Sequence, residues 1–270
     1  MRDLGWSAAW LGLSGHPPFP VVLVALHGWL LSGRLWERLE KELRPGWSLL
    51  APDLPGFGST PRPRGLQPSL ASYGRWVAAW VEREVGSQQP LVLMGHSLGG
   101  SVALHAAGHL GGQLKGLVQI SAGGGVYQPR PFRQLRWGGS LLLELRPRGL
   151  AHWPPLARLR APLLADQRAA RGLLACSTNR RAVRQLPQLT HALTVPSLWI
   201  AGSQDQVMEP RYVRHLAGYA AVHRLEVLEG AGHLPMCQKP RDVAALIQAW
   251  LDREVQNVAS PFSCSSASWA

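Results

Sequence analysis

The chain has 270 residues, 46% of them hydrophobic, which is the size of one domain with a large buried core and room for an insertion. Its longest apolar runs, near residues 21–26 and 140–145, are far shorter than the ~20 residues that a bilayer-spanning helix needs. The first residues lack a basic stretch followed by a long apolar core, so we expect a cytoplasmic protein. The formal net charge of +12 needs its own explanation.

The apolar pattern predicts alternating strands and helices in the first part of the chain. Residues 4–13 are expected to form a first strand or strand pair, and 21–26 a central strand. A helix is predicted at about 33–44, ended by Pro45-Gly46. The large apolar side chains that recur on one face of that helix are Leu35, Trp36, Leu39 and Leu43.

The same pattern continues through the middle of the chain. A strand is predicted at 47–52 and a helix at 69–85, followed by a strand that includes residues 91–93 and another at 115–121. The tail at 257–270 is rich in serine and has no periodicity, so we expect it to be disordered.

A glycine-rich turn after the strand at 91–93 contains a candidate nucleophile. The turn has the form G-x-S-x-G, with Ser97 between Gly95 and Gly99, and a run of small residues typical of a helix follows it. Cβ atoms at the two glycines would collide with the neighbouring backbone, so the turn is tight and Ser97 is held clear of the sheet. Ser97 is therefore the predicted nucleophile.

A serine hydroxyl needs a base and an orienting carboxylate, and both follow strands further along the chain. The buried strand at 197–202 leads to Asp205, with Glu209 as its only close rival in sequence. The alternating strand at 224–229 leads to His233. Open parallel sheets place their chemistry at such carboxyl ends. The order Ser, Asp, His is the one expected on this architecture.

The chain resembles the α/β-hydrolase fold family over roughly residues 20–250. Four sequence blocks carry the resemblance: His27-Gly28-Trp29, the loop from Asp53 to Ser59, the Ser97 turn, and Gly202 to Asp205 together with Gly232-His233. Within the second block we expect Asp53 to be structural and to accept hydrogen bonds from amides of its own Leu54-Pro55-Gly56 turn.

The resemblance implies an α/β fold with a mostly parallel, twisted, eight-stranded sheet flanked by helices. It assigns Ser97 as the nucleophile, His233 as the general base and then acid, and Asp205 as its orienting partner. The oxyanion hole follows from geometry as well as from the family. One amide comes from Leu98, the residue after the nucleophile, and the second is best matched by Trp29.

These residues predict a serine hydrolase that cleaves an ester or thioester with a hydrophobic moiety through a Ser97 acyl-enzyme. The serine excludes epoxide hydrolases and haloalkane dehalogenases, which need a carboxylate at that position. The alternatives that stay open are a lipid or prenyl-type ester hydrolase at a membrane surface, a cofactor-free acyltransferase and a C–C bond hydrolase. A protein that uses the scaffold only for interaction is the non-enzyme alternative.

Residues 127–190 interrupt the alternation of strands and helices where this family inserts a helical cap. We therefore expect a hydrolase core at 1–126 and 191–256 with a cap at 127–190. The cap holds twelve arginines against two acids, Glu144 and Asp166, so it carries +10 of the net charge. The arginines are Arg130, Arg133, Arg136, Arg146, Arg148, Arg158, Arg160, Arg168, Arg171, Arg180, Arg181 and Arg184.

Three interpretations of this basic cap compete. Composition bias explains arginine over lysine but not the local lack of acids. Contact with an anionic membrane would place the arginines and apolar side chains on one exposed face. Attraction of an anionic substrate or carrier, such as an acyl thioester of a phosphorylated cofactor, is the third. Nucleic acid is not expected, because no recognition motif accompanies the charge.

No cofactor or metal site is predicted. The cysteines, Cys176, Cys237 and Cys264, have no C-x-x-C or Cys/His spacing, which fits a reducing compartment without structural disulfides. Phosphate-binding, dinucleotide-binding and H-E-x-x-H zinc motifs do not occur in the sequence.

Overall fold

A six-stranded parallel sheet forms the centre of the part of the chain that the structure describes. This computed structural model describes residues 22–147, 149 and 160–255. The strands lie in the order β2-β1-β3-β4-β5-β6, and each neighbouring pair is parallel. They are β1 (Val22–Leu26), β2 (Ser48–Leu50), β3 (Leu91–His96), β4 (Leu114–Ile120), β5 (Ser197–Gly202) and β6 (His223–Leu228).

Helices cover both faces of this sheet. The described helices are α1 (Glu37–Glu40), α2 (Leu70–Glu84), α3 (Leu98–Leu110), α4 (Pro129–Leu145), α5 (Arg160–Leu164), α6 (Gln167–Ser177), α7 (Arg180–His191), α8 (Pro210–Ala217), α9 (Pro235–Gln238) and α10 (Pro240–Trp250). Short 3₁₀ turns occupy Gly33–Trp36 and Gly111–Gln113, and a π-helical turn occupies Leu251–Val255. Among these helices none has the length and apolar character needed to cross a membrane.

The sheet has a hydrophobic core on each face, which explains why its strand β1 is apolar without interruption. In β1, Val24 and Leu26 point into the core shared with α2 and α3. Leu23 and Ala25 point into the opposite core, which contains α10. All five residues of β1 are buried. Alternate side chains of one strand therefore hold the two layers together.

Two sequence expectations differ from the described structure. Eight strands are predicted, and the described ranges contain six; the strand or strand pair expected at 4–13 lies outside those ranges, as does the tail at 257–270. The helix predicted at 33–44 is a 3₁₀ turn followed by α1, which ends at Glu40. Beyond it the amides of Glu42 and Leu43 bond carbonyls only three residues back, so the chain tightens into turns.

Helices α4 to α7 lie between β4 and β5, within the predicted cap, and we call residues 127–190 the insert. Hydrogen bonds tie its described part to the loops of the sheet, and two of them involve backbone carbonyls. The amide of Asp166 donates to the Gly56 carbonyl at 2.6 Å, and the Trp29 indole donates to the Ala170 carbonyl at 2.9 Å. The insert therefore packs against the same edge of the sheet that carries the strand-end loops.

Candidate active site

Ser97 lies in the turn between β3 and α3 in a strained backbone conformation. Its φ of 51° is positive, which costs a residue with a side chain about 1–3 kcal/mol. Close packing holds the turn in place. A Cβ at Gly95 would lie 2.5 Å from the Cα of Gly100, and one at Gly99 would lie 2.5 Å from the carbonyl oxygens of Leu26 and His27. Glycine is required at both positions.

The three predicted catalytic side chains form one hydrogen-bonded relay. Ser97 Oγ lies 3.1 Å from His233 Nε2, and His233 Nδ1 lies 2.9 Å from Asp205 Oδ2. A carboxylate only accepts hydrogen bonds, so Nδ1 carries the proton and Nε2 is left to accept from the serine hydroxyl. This is the tautomer that can remove the serine proton.

Asp205 is 2% exposed, and its charge is held by hydrogen bonds. The amides of Val207 and Met208 donate to its Oδ1 at 2.9 and 2.8 Å. Burial by itself raises the pKa of Asp205, but the hydrogen bonds from His233 and the Met208 amide outweigh it and hold the pKa below its usual value. Glu209, the rival in sequence, instead pairs with Arg211.

The two predicted oxyanion donors follow neighbouring strands. Trp29 lies in the loop after β1, and Leu98 is the first residue of α3, where an amide has no acceptor within its own helix. Gly28 allows the loop to approach the nucleophile strand, because a Cβ there would lie 2.7 Å from His96 Nδ1. The loop itself is held by His27, whose Nε2 accepts from the amide of Leu54 at 2.9 Å.

Comparison with known proteins gives the family of this fold and site. The sequence model described as the alpha/beta hydrolase family matches residues 21–246, most of the chain. The chain belongs to the α/β hydrolase family.

Curated relatives indicate that this α/β hydrolase is an esterase, and a solved structure shares its fold. A pimeloyl-[acyl-carrier protein] methyl ester esterase of Xanthomonas oryzae pv. oryzae (strain MAFF 311018) is 31% identical, covering 88% of this chain and 96% of the relative. One of Xylella fastidiosa (strain M12) is 28% identical, with 90% and 98% covered. A thermophilic esterase from Thermogutta terrifontis has the same fold, with a TM-score of 0.70, 22% identity and 87% and 90% covered. This α/β hydrolase is an enzyme, a serine hydrolase of the esterase type.

His96 supports the site of this α/β hydrolase, although the sequence analysis did not single it out. Its Nε2–H donates to the backbone carbonyl of His233 at 2.8 Å, and the two rings lie 4.9 Å apart. Burial, with the nearby His233, lowers the pKa of His96 to about 3, so the ring stays neutral. The sequence signal for this role is a histidine at the end of an otherwise apolar strand, directly before the nucleophile.

Asp53 is structural, but its partners differ from those predicted. Its Oδ1 accepts from the amide of Gly33 at 2.7 Å, and its Oδ2 accepts from the amide of Ser59 at 2.7 Å. The Leu54-Pro55-Gly56 turn is not the partner, because the loop wraps back so that Gly58 rests against the carboxylate, where a Cβ would lie 2.1 Å from it. Asp53 thus joins two loops of the α/β hydrolase.

The arginines of the insert do not all share one exposed face. Arg136 donates to the carbonyl of Thr178 at 2.9 Å. Arg146 is only 8% exposed and donates to the carbonyls of Pro162 and Ala165 at 3.0 and 2.7 Å. The expectation of a single basic surface therefore fails for these two, which cross-link helices inside the insert of this α/β hydrolase.

Proposed function

We propose that this α/β hydrolase cleaves carboxylic esters through an acyl-enzyme on Ser97. The observation that carries the proposal is the relay from Ser97 Oγ through His233 to Asp205, with hydrogen bonds of 3.1 and 2.9 Å. A nucleophile, a base within reach of its proton and a carboxylate that fixes the base are the parts that acyl transfer requires.

Acylation begins when His233 Nε2 takes the proton of the Ser97 hydroxyl. The serine oxygen attacks the ester carbonyl carbon, and the carbonyl oxygen becomes an oxyanion that accepts from the amides of Leu98 and Trp29. Asp205 stabilises the imidazolium formed on His233. When the tetrahedral intermediate collapses, His233 gives the proton to the leaving alcohol and the acyl group remains on Ser97.

Deacylation repeats these steps with water in place of the alcohol. His233 takes a proton from the water as it attacks the acyl carbon, and the same two amides of Leu98 and Trp29 hold the second oxyanion. Collapse returns the proton from His233 to Ser97 and releases a carboxylic acid. Each amide acts only on charge present in the intermediates, and loss of one such donor costs about 10²- to 10³-fold in turnover.

The substrate class we favour is an ester of an acyl chain attached to a carrier. Its support is the naming of two relatives, 31% and 28% identical, as esterases of a pimeloyl-[acyl-carrier protein] methyl ester. A methyl leaving group is small, so the acyl side and its carrier would provide the recognition. The same relay could also serve three competing reactions, which are hydrolysis of a thioester, acyl transfer to another alcohol and cleavage of a C–C bond.

Labelling with a fluorophosphonate and a substrate series test this proposal. Wild type should be labelled and the Ser97→Ala variant should not, whereas Ser101→Ala, one turn further along α3, should be labelled like wild type. Methyl esters, thioesters and p-nitrophenyl esters of matched acyl chains then rank the reactions by kcat/KM. Labelling of Ser97→Ala, or its turnover within tenfold of wild type, would refute Ser97 as the nucleophile.

A lipid ester at an anionic membrane surface is the second candidate, and one observation favours it. Helix α4 exposes large apolar side chains, with Trp137 and Leu145 each 71% exposed and Leu142 53% exposed. Arg130 and Arg133 are exposed on the same helix. This pattern is typical of peripheral membrane contact. Sedimentation with phosphatidylglycerol vesicles should fall for Trp137→Ser with Leu145→Ser, and equal sedimentation of that variant and wild type would refute this candidate.

A further inference from the structure

A groove at the border between the insert and the sheet is lined by basic and aromatic side chains. It is an open hollow of about 630 Å³, lined by residues of α7, of α8 and the turn after it, and of the loop that leads into α4. Arg180 and Arg184 contribute its basic side chains, and Tyr127, His215 and Tyr219 contribute its aromatic rings. The rings of His215 and Tyr219 pack edge to face, 5.4 Å apart. The groove is lined by none of the relay residues.

The arginines of this groove have no acidic partner among the described residues. Arg180 and Arg184 are one helical turn apart on the exposed side of α7, so both side chains can reach one ligand. Arg181 lies beside them and lines an adjoining hollow of about 730 Å³ with them. None of the three pairs with a carboxylate in the ranges 22–147 and 160–255.

The surroundings of these exposed arginines add to the positive potential at the start of α7. The first turn of α7 contains no acidic residue, and its side-chain cap is the neutral Asn179. Positive charge near a helix start is opposed by the helix dipole, and three arginines within five residues also repel one another. An anion bound between Arg180 and Arg184 would relieve both effects.

We propose that this groove is a binding site for a phosphate group, with Arg180 and Arg184 as its charged ligands and Tyr127 and Tyr219 as the walls for the organic part. Guanidinium groups match phosphate oxygens by paired, charge-assisted hydrogen bonds. The flat rings provide apolar area for a base or another planar group. A phosphate ester of a nucleotide or of a pantetheine-bearing carrier fits this chemistry.

The position of the groove connects it with the catalytic edge of the sheet. The loop that contributes Tyr127 follows β4, and α8, which contains His215 and is followed by Tyr219, begins shortly after Asp205. A phosphorylated ligand held here would lie on the same side of the sheet as the strand-end loops. The binding itself does not depend on ester hydrolysis, so a failed esterase assay and a failed binding assay are separate outcomes.

Isothermal titration calorimetry at low ionic strength tests the proposal, with pyrophosphate, ADP, pantetheine 4′-phosphate and adenosine as probes. The phosphorylated probes should bind, and adenosine should not. Comparison of ADP and pantetheine 4′-phosphate with pyrophosphate, which has no organic part, identifies the organic part that adds affinity. Arg180→Gln with Arg184→Gln should weaken binding by about tenfold or more per arginine, because each loses charge-assisted hydrogen bonds. Arg180→Lys with Arg184→Lys keeps the charge and should retain part of the affinity.

The matched control is Arg64→Gln with Arg75→Gln, which removes the same charge from exposed positions that do not line the groove. This control should bind the probes like wild type, and thermal unfolding should show that all the variants are folded. Binding by the Arg180/Arg184 glutamine variant equal to wild type would overturn the proposal. So would equal losses in the two double variants, which indicate general charge attraction, or no phosphate binding by wild type at millimolar concentrations.

Discussion

Replacement of Asp205 by Asn should disable the relay by reversing its hydrogen-bond polarity. The amides of Val207 and Met208 both donate to Oδ1, at 2.9 and 2.8 Å, so the Asn carbonyl oxygen should occupy that position. The Asn amino group then takes the place of Oδ2, which lies 2.9 Å from His233 Nδ1. An amino group donates, so Nδ1 must accept and the imidazole proton moves to Nε2. In that tautomer His233 cannot take the proton of Ser97.

The expected loss is about 10⁴-fold in kcat at neutral pH, equivalent to about 5 kcal/mol of transition-state stabilisation, while the fold is retained. Steady-state hydrolysis of a p-nitrophenyl ester measures it, with circular dichroism to check the fold. The control is Glu209→Gln, an exposed member of a surface pair with Arg211, which should stay close to wild type. Activity of the Asp205→Asn variant within tenfold of wild type would refute this reasoning.

Three further predictions concern the packing around the site. Gly99→Ala should lower the free energy of unfolding by about 1–3 kcal/mol, because its Cβ would lie 2.5 Å from two carbonyl oxygens. Its control, Gly108→Ala on the same helix, adds a Cβ that meets no atom within 4 Å and should raise the free energy of unfolding by about 0.5–1 kcal/mol. Equal urea midpoints for the two variants would contradict this prediction. Burial lowers the pKa of His27 to about 4 and of His96 to about 3, from 6.5. Between pH 6.5 and 4 the unfolded chain therefore binds protons that the folded chain does not, and the free energy of unfolding should fall with decreasing pH by up to about 1.4 kcal/mol per unit for each histidine; urea unfolding that is unchanged from pH 7 to 5 would exclude it. Trp29→Phe removes the 2.9 Å indole hydrogen bond to the insert and should cost about 1 kcal/mol, measured by thermal unfolding against Trp76→Phe; equal losses in the two variants would contradict it.

The sequence predicts the elements whose signal is local. The strand predicted at 197–202 has those bounds in the structure, and the helix predicted at 69–85 is α2, Leu70–Glu84. Continuous apolar runs identify strands buried on both faces, and helical spacing with Ser69 as the N-cap identifies α2. The order of Ser97, Asp205 and His233 after strand ends was readable for the same reason.

The features that the sequence does not predict depend on contacts between residues that are distant in the chain. Asp53 bonds the amide of Gly33, twenty positions away, because a loop folds back onto it. Arg136 and Arg146 look like surface charges in the sequence, yet both donate to backbone carbonyls elsewhere in the insert. The part of His96 in holding the His233 loop is equally invisible without the fold, since the two residues are 137 positions apart.

The insert connects β4 to β5, which are neighbours in the sheet, so it can be exchanged without a change of strand order. It leaves the end of β4, which lies between β3 and β5, so the strands that carry Ser97 and Asp205 flank its point of departure. Residues 127–190 could be exchanged for the corresponding segment of a relative while those two strands keep their spacing. Such a chimera needs matching partners for the Trp29 indole and for the Gly56 carbonyl. Exchange of the insert would therefore leave the strands that lead to Ser97 and Asp205 unchanged.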